Sequence, residues 1–345
     1  MQIETVANPG EEWDEFVAGT PGATLGHAAL WCRVLRESYR LETRYLASRD
    51  GGVLTGVLPL VRFRTLRGRR EFISLPFLDT AGILARSQEA EQALLESALE
   101  LSRKLGSGVL ELRQSTPLQG WKMPNDQTRI DLVLPLKRDP DEQWKSLRKE
   151  ARNRTRKATS EGLEISEGSA EELLGGFYGP FEVNMRDLGS PVHAKRFFRV
   201  MLQAFAANLR IIVTRYGAQP VGGLVAIRFG ESVSVPWASS LRAHRHRCPN
   251  NILYWEAMRW AIETGAREFD FGRSPHGSGT HQFKLSWGAQ ERVLSWLRFG
   301  PDGRPLELEE TARGGLLGKL SAAWTHLPVP LTAAVGPLLR RYLAN

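Results

Sequence analysis

The chain has 345 residues, too many for one ordinary hydrophobic core, so two domains are expected. It is 42% hydrophobic and 24% charged with a net charge of +8, a globular composition that favours anionic partners such as RNA, nucleotides or acidic lipid. No apolar run reaches the ~18 residues of a membrane span, the acidic start "MQIETVANPGEEWDEF" lacks the apolar stretch of a secretory signal, and Cys32 and Cys248 form no CxxC pair. A reducing compartment is implied, with the cytoplasm as the expected location.

Residues 44–63, "RYLASRDGGVLTGVLPLVRF", read as a strand, a glycine turn and a second strand. The same pattern returns at 210–229, "RIIVTRYGAQPVGGLVAIRF", without a gap. Arg44/Arg210, Arg49/Arg215, Gly51/Gly217, Gly56/Gly222, Leu58/Leu224, Arg62/Arg228 and Phe63/Phe229 coincide. "EFISLPF" (71–77) then echoes "ESVSVPW" (231–237), and each half continues with an amphipathic helix, a glycine and a short strand. A shared order of this length implies a duplication, each half an α+β unit.

Between the halves, "WKSLRKEARNRTRKA" (144–158) reads as one helix with seven cations within 145–157 and a single glutamate, Glu150. Like charges four apart repel, so an anion that neutralises Arg148, Arg152 and Arg156 explains the density better than a solvated face does. "FEVNMRDLGSPVHAKRFF" (181–198) joins two helices through a Gly-Ser-Pro turn. Arg186 and Asp187 there form either a structural ion pair or part of a binding groove. "RAHRHRCPNN" (242–251) precedes the helix "ILYWEAMRWAIETG". Asn250 or Asn251 can cap that helix, leaving its free N–H groups beside Arg242, Arg245 and Arg247 as an anion site. His244, His246 and Cys248 would share a strand face, but their spacing is not that of a zinc site, and no metal is expected.

The segment "FDFGRSPHGSGTHQFKLSWG" (269–288) begins with a strand that puts Phe269 and Phe271 on one side and Asp270 on the other, with Arg273 at its mouth. It fails as a phosphate loop, because Gly277 is followed by Ser278-Gly279 rather than Lys-Ser/Thr, and as GxGxxG, because the third glycine is missing. Beyond Arg273 the chain reads as a glycine loop leading to a second strand, "HQFKLSWG". Residues 311–345 alternate apolar stretches with Pro328, Pro330 and Pro337, and either lie on a lipid surface or pack on the protein.

Strand, strand, helix and strand in this order resemble the GNAT acyltransferase fold, in which a central sheet splays open around a thioester or ester donor. Two such units, with "MRDLGSP" (185–191), "CPNNILYWEAMRWA" (248–261) and 269–288, resemble the FemAB-like aminoacyl/acyltransferases, closest to those of exosortase (PEP-CTERM) exopolysaccharide systems. The resemblance spans roughly residues 5 to 300. It implies an α+β fold of two tandem GNAT-like domains, each a mixed sheet with flanking helices, at 1–140 and 141–305, followed by an amphipathic tail at 306–345. By matching position, Phe283 and Lys284 take the family's Phe-Lys pair, the lysine assigned to the transition state, where a fixed ammonium would stabilise the oxyanion of an attacked carbonyl. His281 stands where the family carries an aromatic residue, and either accepts the amine's proton or does nothing. The 185–191 loop, with Asp270 and Arg273, would bind the acceptor. The GNAT pyrophosphate segment has glycines where this chain reads His-Arg-Cys-Pro-Asn-Asn, which counts against a conventional acetyl-CoA site.

The sequence therefore leads to a transferase that forms an amide. It would move an aminoacyl group from aminoacyl-tRNA, as co-substrate rather than bound cofactor, to an amine on a small or envelope-related acceptor. It would not bind DNA, and its tail would offer a peripheral contact with the inner face of the membrane. Two rivals stand beside it: an acyl-CoA-dependent N-acyltransferase acting on exopolysaccharide or envelope precursors, and a non-catalytic RNA- or membrane-binding module.

Overall fold

The structure, a computed structural model, describes residues 1–119, 129–306 and 316–344. It divides into two compact units. In the first, β1 (Gln2–Val6), α1 (Glu11–Ala18), α2 (Leu30–Tyr39), β2 (Glu42–Thr43), β3 (Tyr45–Asp50), β4 (Val53–Leu58), β5 (Val61–Arg64), β6 (Arg70–Ile73), β7 (Leu84–Ala85), α3 (Gln88–Lys104) and β8 (Val109–Gln114) follow one another. Two sheets result, ordered β1-β3-β4-β7 and β16-β8-β6-β5-β2, the latter closed at one edge by β16 (Ser295–Phe299).

The second unit contains β9 (Arg129–Pro135), α4 (Pro140–Ser146), α5 (Lys149–Ser160), β10 (Leu163–Gly168), α6 (Glu171–Asp187), α7 (Lys195–Phe205), β11 (Leu209–Tyr216), β12 (Gln219–Phe229), β13 (Ser232–Ser240), α8 (Pro249–Glu263), β14 (Glu268–Pro275), α9 (Gly279–Ser286) and β15 (Gln290–Val293). The tail helices α10 (Leu316–Trp324) and α11 (Val329–Arg340) complete it. Its seven strands run β10-β11-β12-β13-β14-β9-β15. The expected boundaries at 140 and 305 therefore shift. β9 lies before 141 yet joins the second sheet, and β16 lies before 305 yet pairs antiparallel with β8. Side-chain periodicity identifies a strand but not the sheet whose edge it completes.

The duplication is visible in detail. The β3–β4 hairpin slips register between Ser48 and Arg49, and the β11–β12 hairpin slips at the aligned step, between Thr214 and Arg215. Gly56 and Gly222 both lie under a helix: an added Cβ would approach Leu94 Cδ1 to 2.8 Å in one half and Leu253 Cδ1 to 3.1 Å in the other. Parallel pairing is brief in both, Glu71–Ile73 with Val109–Glu111 and Ser232–Ser234 with Glu268–Asp270. The halves differ where Pro59 stands in place of Val225. Proline offers no N–H to the ladder, and β4 and β5 separate into two sheets where β12 runs on unbroken.

In the second unit α8 and α6 cover opposite faces of the sheet. The adjacent glycines Gly222 and Gly223 turn to Leu253 of α8 and to Phe177 of α6 respectively. Beneath α8, against its own Leu253, Ala257 and Met258, lie Leu224, Val233, Val235, Phe269 and Phe271. On the other face Phe177, Phe181, Phe197 and Phe198 gather around Trp237.

Three local expectations are corrected. The basic segment is two helices, because the backbone is extended at Leu147 and Arg148 (ψ 150° and 145°) and the Leu147 side chain is buried there. "HQFKLSWG" is not a strand but most of α9, whose first turn is capped by Ser278 Oγ accepting the His281 N–H at 3.2 Å. Residues 242–247 form a 3-10 turn, so His244, His246 and Cys248 do not share a strand face. The tail packs on its own unit. Ser321 Oγ donates to Gly189 O (2.9 Å), Leu327 O accepts from Arg186 Nη1 (3.1 Å), and Arg340 Nε donates to His193 Nε2 (2.9 Å) in a buried contact. Among the described residues no helix is long and apolar enough to cross a membrane.

Candidate active site

β13 and β14 pair only as far as Ser234 and Asp270, after which β13 continues to Ser240 and β14 to Pro275 without pairing to each other. The sheet therefore opens between two parallel strands, and the edges inside the opening present backbone N–H and C=O groups that an extended ligand can engage.

At the base of this opening a polar row crosses the strands. Ser234 Oγ on β13 donates to Asp270 Oδ2 on β14 (3.0 Å), and Asp270 stands beside Asp131 on β9. Arg292 Nη2 on β15 donates to Asp131 Oδ2 (2.7 Å) and Arg292 Nη1 reaches Glu268 at 3.4 Å. Asp131 is buried, and its Oδ1 has no donor directed at it. Burial, then the Asp270 carboxylate, push the Asp131 carboxyl up to about 8 against the pull of Arg292. The shift favours the protonated form of Asp131, and a proton on Asp131 Oδ1 would give that orphaned oxygen a role as donor. Asp270 is the more accessible member. Asp131, Ser234 and Arg292 escaped the sequence reading. The available signal was an aspartate inside the apolar strand "RIDLVLP".

Asp270 also fixes the backbone beyond it: its Oδ1 accepts the Gly272 N–H at 2.7 Å, and Gly272 has φ +73°, which only glycine adopts freely. From the opposite side Lys284, 7% exposed, donates Nζ to Gly272 O (2.7 Å) and Arg273 O (3.1 Å). The lysine thus reaches the mouth of β14 from a helix rather than from a strand edge. Arg273 is half-buried at that mouth. Phe283, one residue earlier on α9, packs edge-on to Tyr254 (5.3 Å) and Trp287 (6.2 Å).

His281 is placed differently from the expected proton acceptor. It is buried, its Nδ1 accepts the Gly277 N–H (3.3 Å), and the proton this assigns to Nε2 is donated to Glu291 Oε1 (2.6 Å). Nδ1 is committed to the 277–281 turn and Nε2 ties that turn to Glu291 on β15. His276, His281 and Glu291 bring ligand atoms within 4.8 Å of one another. A metal on His281 Nε2 would displace the bond to Glu291 and force a proton onto Nδ1, against the Gly277 N–H.

The expected anion site divides in two. Arg242 joins the 185–191 loop, with Nη2 on Asp187 O (3.1 Å) and Nε on Asp187 Oδ2 (3.3 Å), where Arg186 Nε also holds Asp187 (2.7 Å). Arg247 turns the other way, to Glu161 Oε2 (2.7 Å) at the end of α5, and lies 4.0 Å over the Tyr216 ring. Arg245 is exposed between them. Arg148 and Arg156 are exposed and Arg152 half-buried on the α5 face that leads to this turn, with Arg156 over the Trp144 ring at 5.5 Å. Neither asparagine caps α8: Cys248, with φ +59°, is its cap residue and Pro249 opens it, so Asn250 and Asn251 lie in the first turn. Asn251 is buried, with no partner for Nδ2.

Residues 145–285 match the family described as Acetyltransferase (GNAT) domain. No curated protein matches the chain. Among solved structures it is similar to FemX, with 15% identity and a TM-score of 0.67 over 85% of this chain and 95% of that one. A tandem GNAT protein from the clavulanic acid biosynthesis pathway is similar at 14% identity and a TM-score of 0.54, over 87% and 99% of the two chains. L-PGS from Bacillus licheniformis is similar at 12% identity and a TM-score of 0.56, over 98% of each. At these identities the likeness is one of fold. An acyltransferase domain of the GNAT type thus occupies residues 145–285, within a chain whose architecture is that of tandem GNAT proteins.

Proposed function

We propose that this chain transfers an aminoacyl group from aminoacyl-tRNA to an amine, in the opening between β13 and β14. The observation that carries the choice of donor is the start of α8. Pro249 has no N–H to give, and the Asn251 N–H is spent on Cys248 O, so this turn offers a pyrophosphate fewer amides than a glycine loop would. The cations of α5 and the exposed Arg245 supply an extended surface for a polyanion instead.

The amine nitrogen attacks the ester carbonyl carbon. As the C–N bond forms, the bond from that carbon to the ribose oxygen breaks. The proton leaving nitrogen passes to Asp270, which shares its charge with Asp131, and from there to the departing ribose oxygen. Lys284 places a fixed positive charge beside the carbonyl oxygen as it becomes negative, a contribution of about 3 kcal/mol in comparable sites. Phe283 walls the pocket, and Arg186, Asp187 and Arg273 orient the acceptor. The donor places the reaction in the cytoplasm.

The second reading is an acyl-CoA-dependent N-acyltransferase working on exopolysaccharide or envelope precursors, supported by the match of residues 145–285 to an acetyltransferase domain. Purified protein incubated with labelled aminoacyl-tRNA and with labelled acyl-CoA decides between them. Amide formation from the tRNA ester is expected, and transfer from the thioester alone overturns the proposal. Lys284→Met removes the charge while keeping bulk. Turnover lost with donor affinity retained is the expected result, and turnover unchanged would remove Lys284 from the chemistry.

A further inference from the structure

The tail helices are amphipathic the wrong way round for water. Along α11 the inward face is Thr332, Gly336 and Arg340, all buried. Gly336 is pressed so closely on Val192 that an added Cβ would stand 2.9 Å from its N atom, and Arg340, 6% exposed, spends its charge on His193. The outward face carries Leu331 and Leu338, seven residues apart and so on one side of the helix, at 47% and 66% exposed. Leu320 of α10 is 56% exposed, and Leu188, beside the Gly189 that Ser321 binds, is 59% exposed. Four of the ten large apolar side chains exposed among the described residues thus belong to the tail and the loop it covers. A helix that packs on its own protein in water normally buries its leucines and shows its charges.

Charge selects what meets this face. From Leu316 to Ala344 the sequence has no aspartate or glutamate, while Lys319 and Arg341 border the leucines. Exposed leucines on helices of nine and twelve residues whose own sequence carries cations and no carboxylate fit the plane of an anionic bilayer surface. We infer that the outward face of α10 and α11 is a docking surface for anionic phospholipid, holding the second unit at a membrane without crossing it. This goes beyond the transfer reaction and does not depend on its donor.

The full chain is sedimented with vesicles of phosphatidylcholine containing phosphatidylglycerol and with vesicles of phosphatidylcholine alone. Binding to the anionic vesicles is expected, weaker on the neutral ones and weaker at high salt. The double variant Leu331→Glu/Leu338→Glu and, on the other helix, Leu320→Glu should each lose about tenfold or more of that binding. Leu66→Glu, at an exposed leucine of the first unit, should keep it. All of these positions are exposed, and circular dichroism checks that each variant is folded. Absence of vesicle binding by the parent chain, or binding unchanged in both tail variants, overturns the inference. So does concentration-dependent self-association that the tail variants abolish without any lipid binding, since a second copy would then cover the face.

Discussion

Asp131 and Asp270 stand side by side on neighbouring strands, the buried member held by Arg292 and pushed upward by burial and its neighbour, the accessible one held by Ser234. The pair lies where β13 and β14 part, so the proton acceptor proposed for the reaction and the opening proposed for its ligands come from the same break in the sheet.

The pair gives a stability signature. Asp131 is raised from 3.8 to about 8, so its contribution is fully present below 3.8 and is lost as pH rises towards 8. The parent chain should therefore lose thermal stability over the upper part of that range, and Asp131→Asn, which mimics the protonated carboxyl, should flatten the profile. Asp270→Asn should lower transfer by roughly a hundredfold or more while leaving the fold intact, as read by turnover and melting temperature. An unchanged rate would remove Asp270 from the chemistry.

Acid should act through two histidines. Burial lowers His27 to about 4 and His193 well below its ordinary value, with Arg340 adding to the second. Both are neutral when folded, so below pH 6.5 the unfolded chain takes up protons that the folded chain refuses. Each histidine then costs about 1.4 kcal/mol per pH unit until its folded value is reached. A fall in melting temperature from pH 6.5 towards 4 is expected, and His27→Gln should recover part of it.

The repeat predicts matched lesions. Gly222→Ala would put a methyl 3.1 Å from Leu253 Cδ1 and from Thr214 Cγ2, at a cost of about 1–3 kcal/mol. Trimming the leucine with Leu253→Ala removes one of these clashes, so the double variant should lose less than the sum of the singles. Gly56→Ala with Leu94→Ala should behave alike in the first unit. Additive losses by chemical denaturation would mean that the two glycines do not do the same job.

The α5 cations should report on the donor. Replacing Arg148, Arg152 and Arg156 by glutamine should weaken tRNA binding across sequences and reduce its salt dependence. The log–log slope should fall by about 0.7 for each phosphate of a single strand that is no longer neutralised. Titrations at several salt concentrations measure this. An unaltered slope would place the polyanion elsewhere.

The duplication was legible because glycines, arginines and a Pro-aromatic pair recur at fixed spacing, and spacing is what a linear sequence preserves. Lys284 is named from the family resemblance rather than from the repeat, and is expected on a strand where the structure has α9. The shape of α9 was not legible. "HQFKL" alternates as a strand would, yet also sets His281 and Lys284 three apart on one helix face, and a run this short fits both periods. The carboxyl pair was hidden because its members come from strands far apart in the chain that become neighbours only in the finished sheet. The turning of Arg242 towards Asp187 and of Arg247 towards Glu161 is likewise a matter of backbone direction within one 3-10 turn.

The pairing of β16 with β8 has a consequence for synthesis on the ribosome. When Gln114 emerges, the edge of β8 that β16 will cover has no partner, and it stays bare until Ser295 to Phe299 have been made. All of Ile130–Arg292 is translated in between. The first unit is thus begun first but cannot be finished first, and its open strand edge must be kept from other chains while the whole of that inserted sheet is made.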